Sequence, residues 1–322
     1  MNEKTQELSI AVPTYTSDYK QSQAFDNATR LVMGTSGLGG VWGGVKTEDS
    51  ADAILYALEN GVAAFDTAPS YADAQKVLGE ALRQWKGDRP FVSTKVGRLR
   101  GEHAHDFKLD YSNEGITKTL HSNLETLGLD YVDLLFLHEP QLVQTEELPR
   151  ILELLQSFKE QGLVRRIGIG GNMTEPFRPY MGSKGFEVVS GFLQLNACNL
   201  DAMALMDFFR ENGVKYYNAS ILHFGLLATR LSTYKKNFEE EKAWLQKRDI
   251  AIAEDLIPLA EKYNLSLSEL AQRYAFGIAQ ADRIVVGAKN IQQVEQTLVD
   301  WQDGPLNEFL FDQVTQLILK HY

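Results

Sequence analysis

Three short apolar runs in this sequence each end in a polar group able to handle a proton. Val62–Asp66 ends in Asp66 and is followed by Thr67-Ala68-Pro69-Ser70-Tyr71. Pro90–Lys95 ends in Lys95, and Tyr131–His138 ends in His138, with Glu139-Pro140 after it. A carboxylate, a phenol, an ammonium and an imidazole together suit proton transfer to or from an oxygen. A free tyrosine has a pKa of about 10, too high to exchange protons readily near neutral pH. An ammonium within ~4–6 Å stabilises the phenolate and is expected to bring that pKa down. A carboxylate beside the lysine keeps it charged and in place. A nearby imidazole donates a hydrogen bond to a carbonyl oxygen and orients it. Tyr71 is then the general acid in a reduction and the general base in an oxidation.

Each residue taken alone has an ordinary reading. Asp66 suits a helix cap or loop, Tyr71 a packed aromatic with a bonded hydroxyl, and His138 a satisfied core imidazole. Lys95 is less easily dismissed, because an unpaired charge at the end of an apolar strand is costly. Their joint occurrence at successive strand ends carries the functional reading.

The elements that position them alternate. Strands are expected at Arg30–Gly34, Val62–Asp66, Pro90–Lys95, Tyr131–His138, Val164–Gly168, Phe192–Asn196, Val214–Ser220 and Arg283–Gly287. Helices fall between most of them, at Glu48–Asn60, Ala74–Trp85, Asn113–Leu127, Glu146–Gln161 and Asp201–Asn212. Gly61, Gly162 and Gly213 stand just past helix ends, where a left-handed residue closes the helix. Eight strands, nearly all followed by helices, favour a closed parallel (β/α)8 barrel, a TIM barrel, in a single domain over residues 1–322. Extra helices are expected at Ile250–Tyr263 and Ser266–Ala279, between the seventh and eighth strands, and at Pro305–Lys320. Residues 1–29 read as an irregular or hairpin cover. Catalytic groups of such barrels gather at the C-terminal strand ends, where Asp66, Tyr71, Lys95 and His138 stand.

These stretches resemble the aldo-keto reductase superfamily. The residues that carry the likeness are Phe65–Tyr71 with Val77-Leu78-Gly79 and Leu82, then Ser93–Gly97, then Leu127–His138. It extends over about residues 30 to 300. The resemblance implies that Asp66, Tyr71, Lys95 and His138 form a catalytic tetrad, and that a nicotinamide cofactor lies across the barrel mouth without a metal. It also implies cofactor contacts at Gly34, Thr35, Asp66, Asn172, Gln194 and Ser220, and at Gly287, Lys289 and Gln293. Gly170 or Gly171 stands where such chains commonly carry Ser, and Ala219 where an aromatic commonly stacks on the nicotinamide. Of the positions that pair with a 2′-phosphate in NADP users, only Lys289 is cationic here, which favours NAD over NADP. The likeness is greatest to the branch of L-galactose, L-fucose (D-threo-aldose) and pyridoxal dehydrogenases. That implies oxidation of aldose C1 to a lactone, or aldehyde reduction, with Trp42, Tyr71, His138 and His223 at the substrate.

Composition sets outer limits. The chain has 322 residues, 44% hydrophobic and 23% charged, which is ordinary for a folded globule. Asp plus Glu number 43 against 32 Lys plus Arg, a net charge of -11, which disfavours nucleic acid or anionic lipid as a partner. No apolar run approaches the ~20 residues of a membrane span, and the first twenty residues lack a signal-peptide core, so a cytoplasmic protein is expected. One cysteine, Cys198, excludes disulfides and Cys-rich metal clusters within the chain. His103 and His105 lie in a polar loop without a carboxylate at ligand spacing, and no metal is expected. The Gly-rich stretch from Gly34 to Gly44 lacks both phosphate-loop and dinucleotide spacing. It reads as a flexible loop or as backbone approaching a ligand closely. Two rival readings use the same residues. A barrel glycosidase would pair the carboxylates of Asp66 and Glu139. A cofactor-bound regulatory subunit would bind nicotinamide without turnover.

Overall fold

Each barrel strand presents one side to the interior and the other to the helices. In Val132–His138, Leu134 and Phe136 face inward and Leu135 and Leu137 face outward. The computed structural model describes residues 11–322 except 23, 26–28, 42, 44, 102–105 and 239–243. The barrel strands are β1 (Leu31–Gly34), β2 (Ala64–Asp66), β3 (Phe91–Val96), β6 (Val132–His138), β7 (Val164–Gly170), β8 (Val188–Phe192), β9 (Lys215–Ala219) and β10 (Arg283–Gly287). Between β3 and β6, β4 (Arg98–Arg100) and β5 (Phe107–Leu109) pair antiparallel as a separate hairpin. The barrel closes in the order β1-β10-β9-β8-β7-β6-β3-β2, with parallel pairing throughout.

The interior is filled by Phe25, Val32, Ala64, Phe91, Leu134, Phe136, Val188, Tyr217 and Val285. Fully buried Arg283 plugs the N-terminal end. Its guanidinium lies 4.0 Å from the Phe91 ring centre and 4.2 Å from that of Phe25, and Nη1 donates to the Tyr217 hydroxyl at 2.9 Å. The segment before β1 folds back through a Gln21–Thr29 bridge and delivers Phe25 to this plug, so it covers the end away from the chemistry. A second, larger cluster fills the space between barrel and helices. Gly61, Gly162 and Gly213 all take left-handed conformations (φ 88°, 75° and 67°), as their places past helix ends require.

Two expectations are corrected. The sixth barrel strand is Val188–Phe192, not Phe192–Asn196. Val188 pairs with Lys215 and Phe192 with Ala219, and the extended run stops at Leu193, whose φ is 66°. The apolar alternation of Phe192-Leu193-Gln194-Leu195 suggested a strand, but pairing with β7 and β9 set the register. Gln194 therefore lies in the loop that follows. The helix expected over Asp201–Asn212 starts as a 3-10 turn, Asp201–Leu205, and is α-helical only over Met206–Glu211. The extra helices before β10 run over Lys247–Lys262 and Leu267–Phe276, and the terminal helix over Glu308–Leu319. The β4–β5 hairpin was not anticipated. Among the described residues no helix is long and apolar enough to cross a membrane.

Candidate active site

Parallel register places Gly34 beside Asp66, Asp66 beside Ser93, Lys95 beside Phe136 and His138 beside Gly170, all at the C-terminal end of the barrel. Asp66 is 5% exposed and Lys95 3%, and they form an ion pair with Nζ 2.6 Å from Oδ2. Lys95 Nζ also donates to the Thr67 carbonyl at 2.9 Å, and the Ser93 hydroxyl donates to Asp66 Oδ1 at 2.7 Å. Asn123 Nδ2 donates to the Lys95 carbonyl at 2.9 Å, fixing the strand end from the helix side. A buried ion pair survives when further hydrogen bonds satisfy both ions, and these do.

Tyr71 comes from the turn after β2, whose shape is set by the Tyr71 N to Ala68 O bond at 3.0 Å and by left-handed Ala72 (φ 49°). The Lys95 ammonium is 4.8 Å from the Tyr71 ring centre, and the Tyr71 and His138 rings meet edge-on at 5.9 Å. The four side chains brought together by strand order in the sequence therefore share one pocket.

Their electrostatics differ in one respect from the expectation. Burial pushes the Tyr71 phenol up, Lys95 pulls it back and Asp66 pushes it up again, so it stands above its ordinary 10.0 rather than below. Burial disfavours the Lys95 ammonium, but Asp66 and Tyr71 outweigh burial and hold it above its ordinary 10.5. Burial, Lys95 and Arg98 drive the His138 imidazole well below 6.5, so it is neutral at physiological pH. Its Nδ1 is buried and has no hydrogen-bond partner among the described residues.

Sequence reading missed the neighbours that frame this pocket. Arg98 of the β4–β5 hairpin forms an ion pair with Glu139, the residue after His138, which takes a left-handed backbone (φ 56°). Tyr111 donates its hydroxyl to the His138 carbonyl at 2.8 Å. The only sequence signal for the hairpin was Arg98 itself, directly after Gly97. Both carboxylates of the rival glycosidase reading are thus engaged in ion pairs, Asp66 with Lys95 and Glu139 with Arg98.

The glycines after β1 serve the chain's own packing. A Cβ on Gly37 would stand 2.3 Å from the Ala288 carbonyl oxygen, and one on Gly39 2.3 Å from that of Tyr71. The stretch thus packs against both the Tyr71 turn and the loop after β10. Trp42 and Gly44 lie outside the described residues, as do His103 and His105.

The residues expected at a cofactor ring the same end. Thr35 is fully buried and its hydroxyl donates to the Asp66 carbonyl at 3.0 Å. Asn172 Oδ1 accepts from Phe192 N at 2.9 Å, which leaves its Nδ2 as the donating end. Ser220 is left-handed (φ 59°), and His223 and Phe224 after it are too (φ 47° and 50°). Three such residues in five cost on the order of 1–3 kcal/mol each and persist only where surrounding contacts enforce them. Beside Gly287 there is open space, since a Cβ there would meet only the Gly34 carbonyl at 4.0 Å. Gln293 Oε1 accepts from Lys289 N at 2.9 Å, and Asn290 caps the following helix. Partial burial and Arg230 hold Lys289 below its ordinary value, so a second cation stands near it that sequence spacing did not suggest. An orphaned imidazole nitrogen, a free amide donor, an open glycine floor and two cations form a donor set that fits a nicotinamide dinucleotide.

His223 is corrected. It is 1% exposed and packed against Asn196, Cys198 and Asp249, so it is no wall of a substrate pocket.

Residues 30–318 match the model of the aldo/keto reductase family. Among curated proteins, a D-arabinose 1-dehydrogenase of Saccharomyces cerevisiae is 26% identical over 266 residues, covering 78% of this chain and 76% of that protein. An L-galactose dehydrogenase of Arabidopsis thaliana is 26% identical over 274 residues, covering 83% and 82%. Among solved structures, a glycerol dehydrogenase from Gluconobacter oxydans shares the fold with a TM-score of 0.75 at 23% identity, over 95% of this chain and 96% of that one.

Proposed function

We propose that this chain, which belongs to the aldo/keto reductase family and is a nicotinamide-dependent oxidoreductase, oxidises a sugar at its anomeric carbon to the lactone, with aldehyde reduction as the second activity the same site could carry out. The observation that carries the reading is the Tyr71–Lys95–Asp66 chain beside a neutral His138 at the barrel mouth. Bound nicotinamide supplies the hydride acceptor or donor. Neutral His138 donates a hydrogen bond to the substrate oxygen and holds it toward Tyr71. Tyr71 takes the hydroxyl proton in oxidation and returns one in reduction. Lys95, kept charged by Asp66, stabilises the phenolate whenever Tyr71 has lost its proton. Asn172, Gln194, Ser220 and Lys289 hold the cofactor. The sugar class is supported by the names of the curated relatives, a D-arabinose 1-dehydrogenase and an L-galactose dehydrogenase.

The test is an absorbance screen for reduced nicotinamide, with aldoses and aldehydes against both NAD and NADP. Turnover of aldoses supports the reading. Turnover of simple aldehydes alone would overturn the sugar assignment, and no turnover with either cofactor would overturn the enzyme reading in favour of a regulatory subunit.

NAD is the proposed cofactor, because Gln293 stands where an arginine would pair bidentately with a 2′-phosphate. Gln293→Arg is expected to improve kcat/KM for NADP roughly tenfold, about 1.4 kcal/mol, with NAD little changed. An unchanged ratio would place the adenosine end elsewhere.

The raised Tyr71 pKa fixes the sign of the pH response. The phenolate needed for oxidation becomes more populated up to and beyond pH 10. Oxidation is therefore expected to accelerate from pH 7 to 10, by up to about tenfold per unit, while reduction weakens only near the top of that range. A profile of kcat in both directions checks this, and an oxidation rate flat above pH 7 would remove Tyr71 from the proton transfer.

A further inference from the structure

We propose that Arg98, paired with Glu139, is the specificity-determining residue of the substrate pocket and selects a substrate with a hydroxyl on the carbon next to the reacting one. The selection presupposes the hydride transfer proposed above, whether or not the whole substrate is a sugar.

The β4–β5 hairpin follows Lys95 closely, and its two arginines anchor it on either side of the pocket. Arg98 reaches the end of β6, where it forms an ion pair with Glu139, the residue after His138. Arg100 reaches the turn that carries Tyr71, where its Nη1 is 2.9 Å from Asp73 Oδ1. The hairpin thus bridges the two strand ends that supply the proton carrier and the imidazole. Behind burial and Lys95, the Arg98 charge helps to keep His138 neutral, and it opposes burial in favouring the Tyr71 phenolate.

Arg98 is held in place but not saturated. The Phe107 ring lies 4.5 Å from its guanidinium, and Nη1 donates to Glu139 Oε1. Its Nε is buried without a hydrogen-bond partner among the described residues. Leaving a buried donor unmade is costly, so a ligand group that accepts from it is favoured. Glu139 is fixed as firmly. Its Oε2 accepts from Gln141 Nε2 at 2.6 Å, and its backbone N donates to the Gly170 carbonyl at 3.0 Å. Each carboxylate oxygen keeps a further lone pair. The two side chains are 28% and 15% exposed, so the pair is shielded from bulk water yet reachable from the mouth.

A guanidinium donor and a carboxylate acceptor side by side match a hydroxyl, which accepts one hydrogen bond and donates another. An arginine alone would favour an anionic substrate. With Glu139 neutralising it, an anionic group would meet a carboxylate as well as a guanidinium, and a neutral hydroxyl is preferred.

The test compares reduction of lactaldehyde and propanal, two three-carbon aldehydes that differ by the one adjacent hydroxyl. Wild-type kcat/KM is expected to be at least about a hundredfold higher for lactaldehyde, because a site built to bond a hydroxyl rejects the analogue lacking it. In Arg98→Met this preference should fall at least about tenfold. Loss of the Arg98 charge at Tyr71 and His138 acts on both aldehydes alike, so the ratio isolates the hydroxyl. Arg98→Met strands the Glu139 charge, so the double variant with Glu139→Gln is measured beside it and decides if the single variant fails to fold. A wild type without the preference, or a folded variant that keeps it within about twofold, would overturn the role of Arg98. Aldose oxidation is scored separately. Aldose turnover with a preference independent of Arg98 removes Arg98 and leaves the sugar reading standing. A preference that depends on Arg98 without aldose turnover does the reverse.

Discussion

Tyr71→Phe is expected to lower kcat about a thousandfold, close to 4 kcal/mol of barrier, while the dissociation constant for the cofactor stays within about threefold. The substitution removes one oxygen and keeps the ring, so the edge contact with His138 and the packing above Lys95 remain. What disappears is the group that carries the proton. A general acid or base contributes typically 10²–10⁴-fold, and no other titratable hydroxyl among the described residues sits beside the Lys95 ammonium to replace it. Single-turnover kinetics with a separate fluorescence titration of the cofactor distinguish the two quantities. A loss confined to cofactor affinity, with kcat intact, would contradict the role given to Tyr71.

The second large effect concerns the ion pair beneath that hydroxyl. Lys95→Met leaves the Asp66 carboxylate buried with Ser93 as its side-chain donor. Breaking a buried pair on one side costs roughly 3–5 kcal/mol, because the remaining charge loses its partner but stays out of water. Urea unfolding is expected to show a loss of that size, together with a fall in kcat of at least about a hundredfold. Adding Asp66→Asn removes the stranded charge. The double variant should recover most of the stability and none of the activity. This split separates the two services of Lys95, since a purely structural lysine would let activity return with stability. Should the double variant recover neither, the loss came from packing around the Lys95 stem.

Much of this was written in local sequence. The alternation of short β-branched runs with helical ones gave the eight-stranded barrel, and three glycines marked helix ends, because strand and helix periods and left-handed caps are local requirements. The four groups of the pocket were legible for a related reason. In a parallel barrel every strand ends at the same face, so Asp66, Lys95 and His138 needed only to be the last polar residues of neighbouring strands, and Tyr71 only to follow closely.

Long-range pairing decided the rest. The sixth barrel strand moved to Val188–Phe192 because hydrogen bonding to β7 and β9 outweighed an alternation that looked as good four residues later. The Tyr71 pKa went up rather than down because burial, which no spacing reveals, exceeds the pull of one ammonium. His223 looked like a polar wall in sequence and became a buried partner of Cys198 and Asp249, residues 25 and 26 positions away from it in opposite directions along the chain. No motif joins such positions. Only the closing of the strands into a cylinder, and the helix Lys247–Lys262 that supplies Asp249, brings a thiol, an imidazole and a carboxylate into one buried cluster.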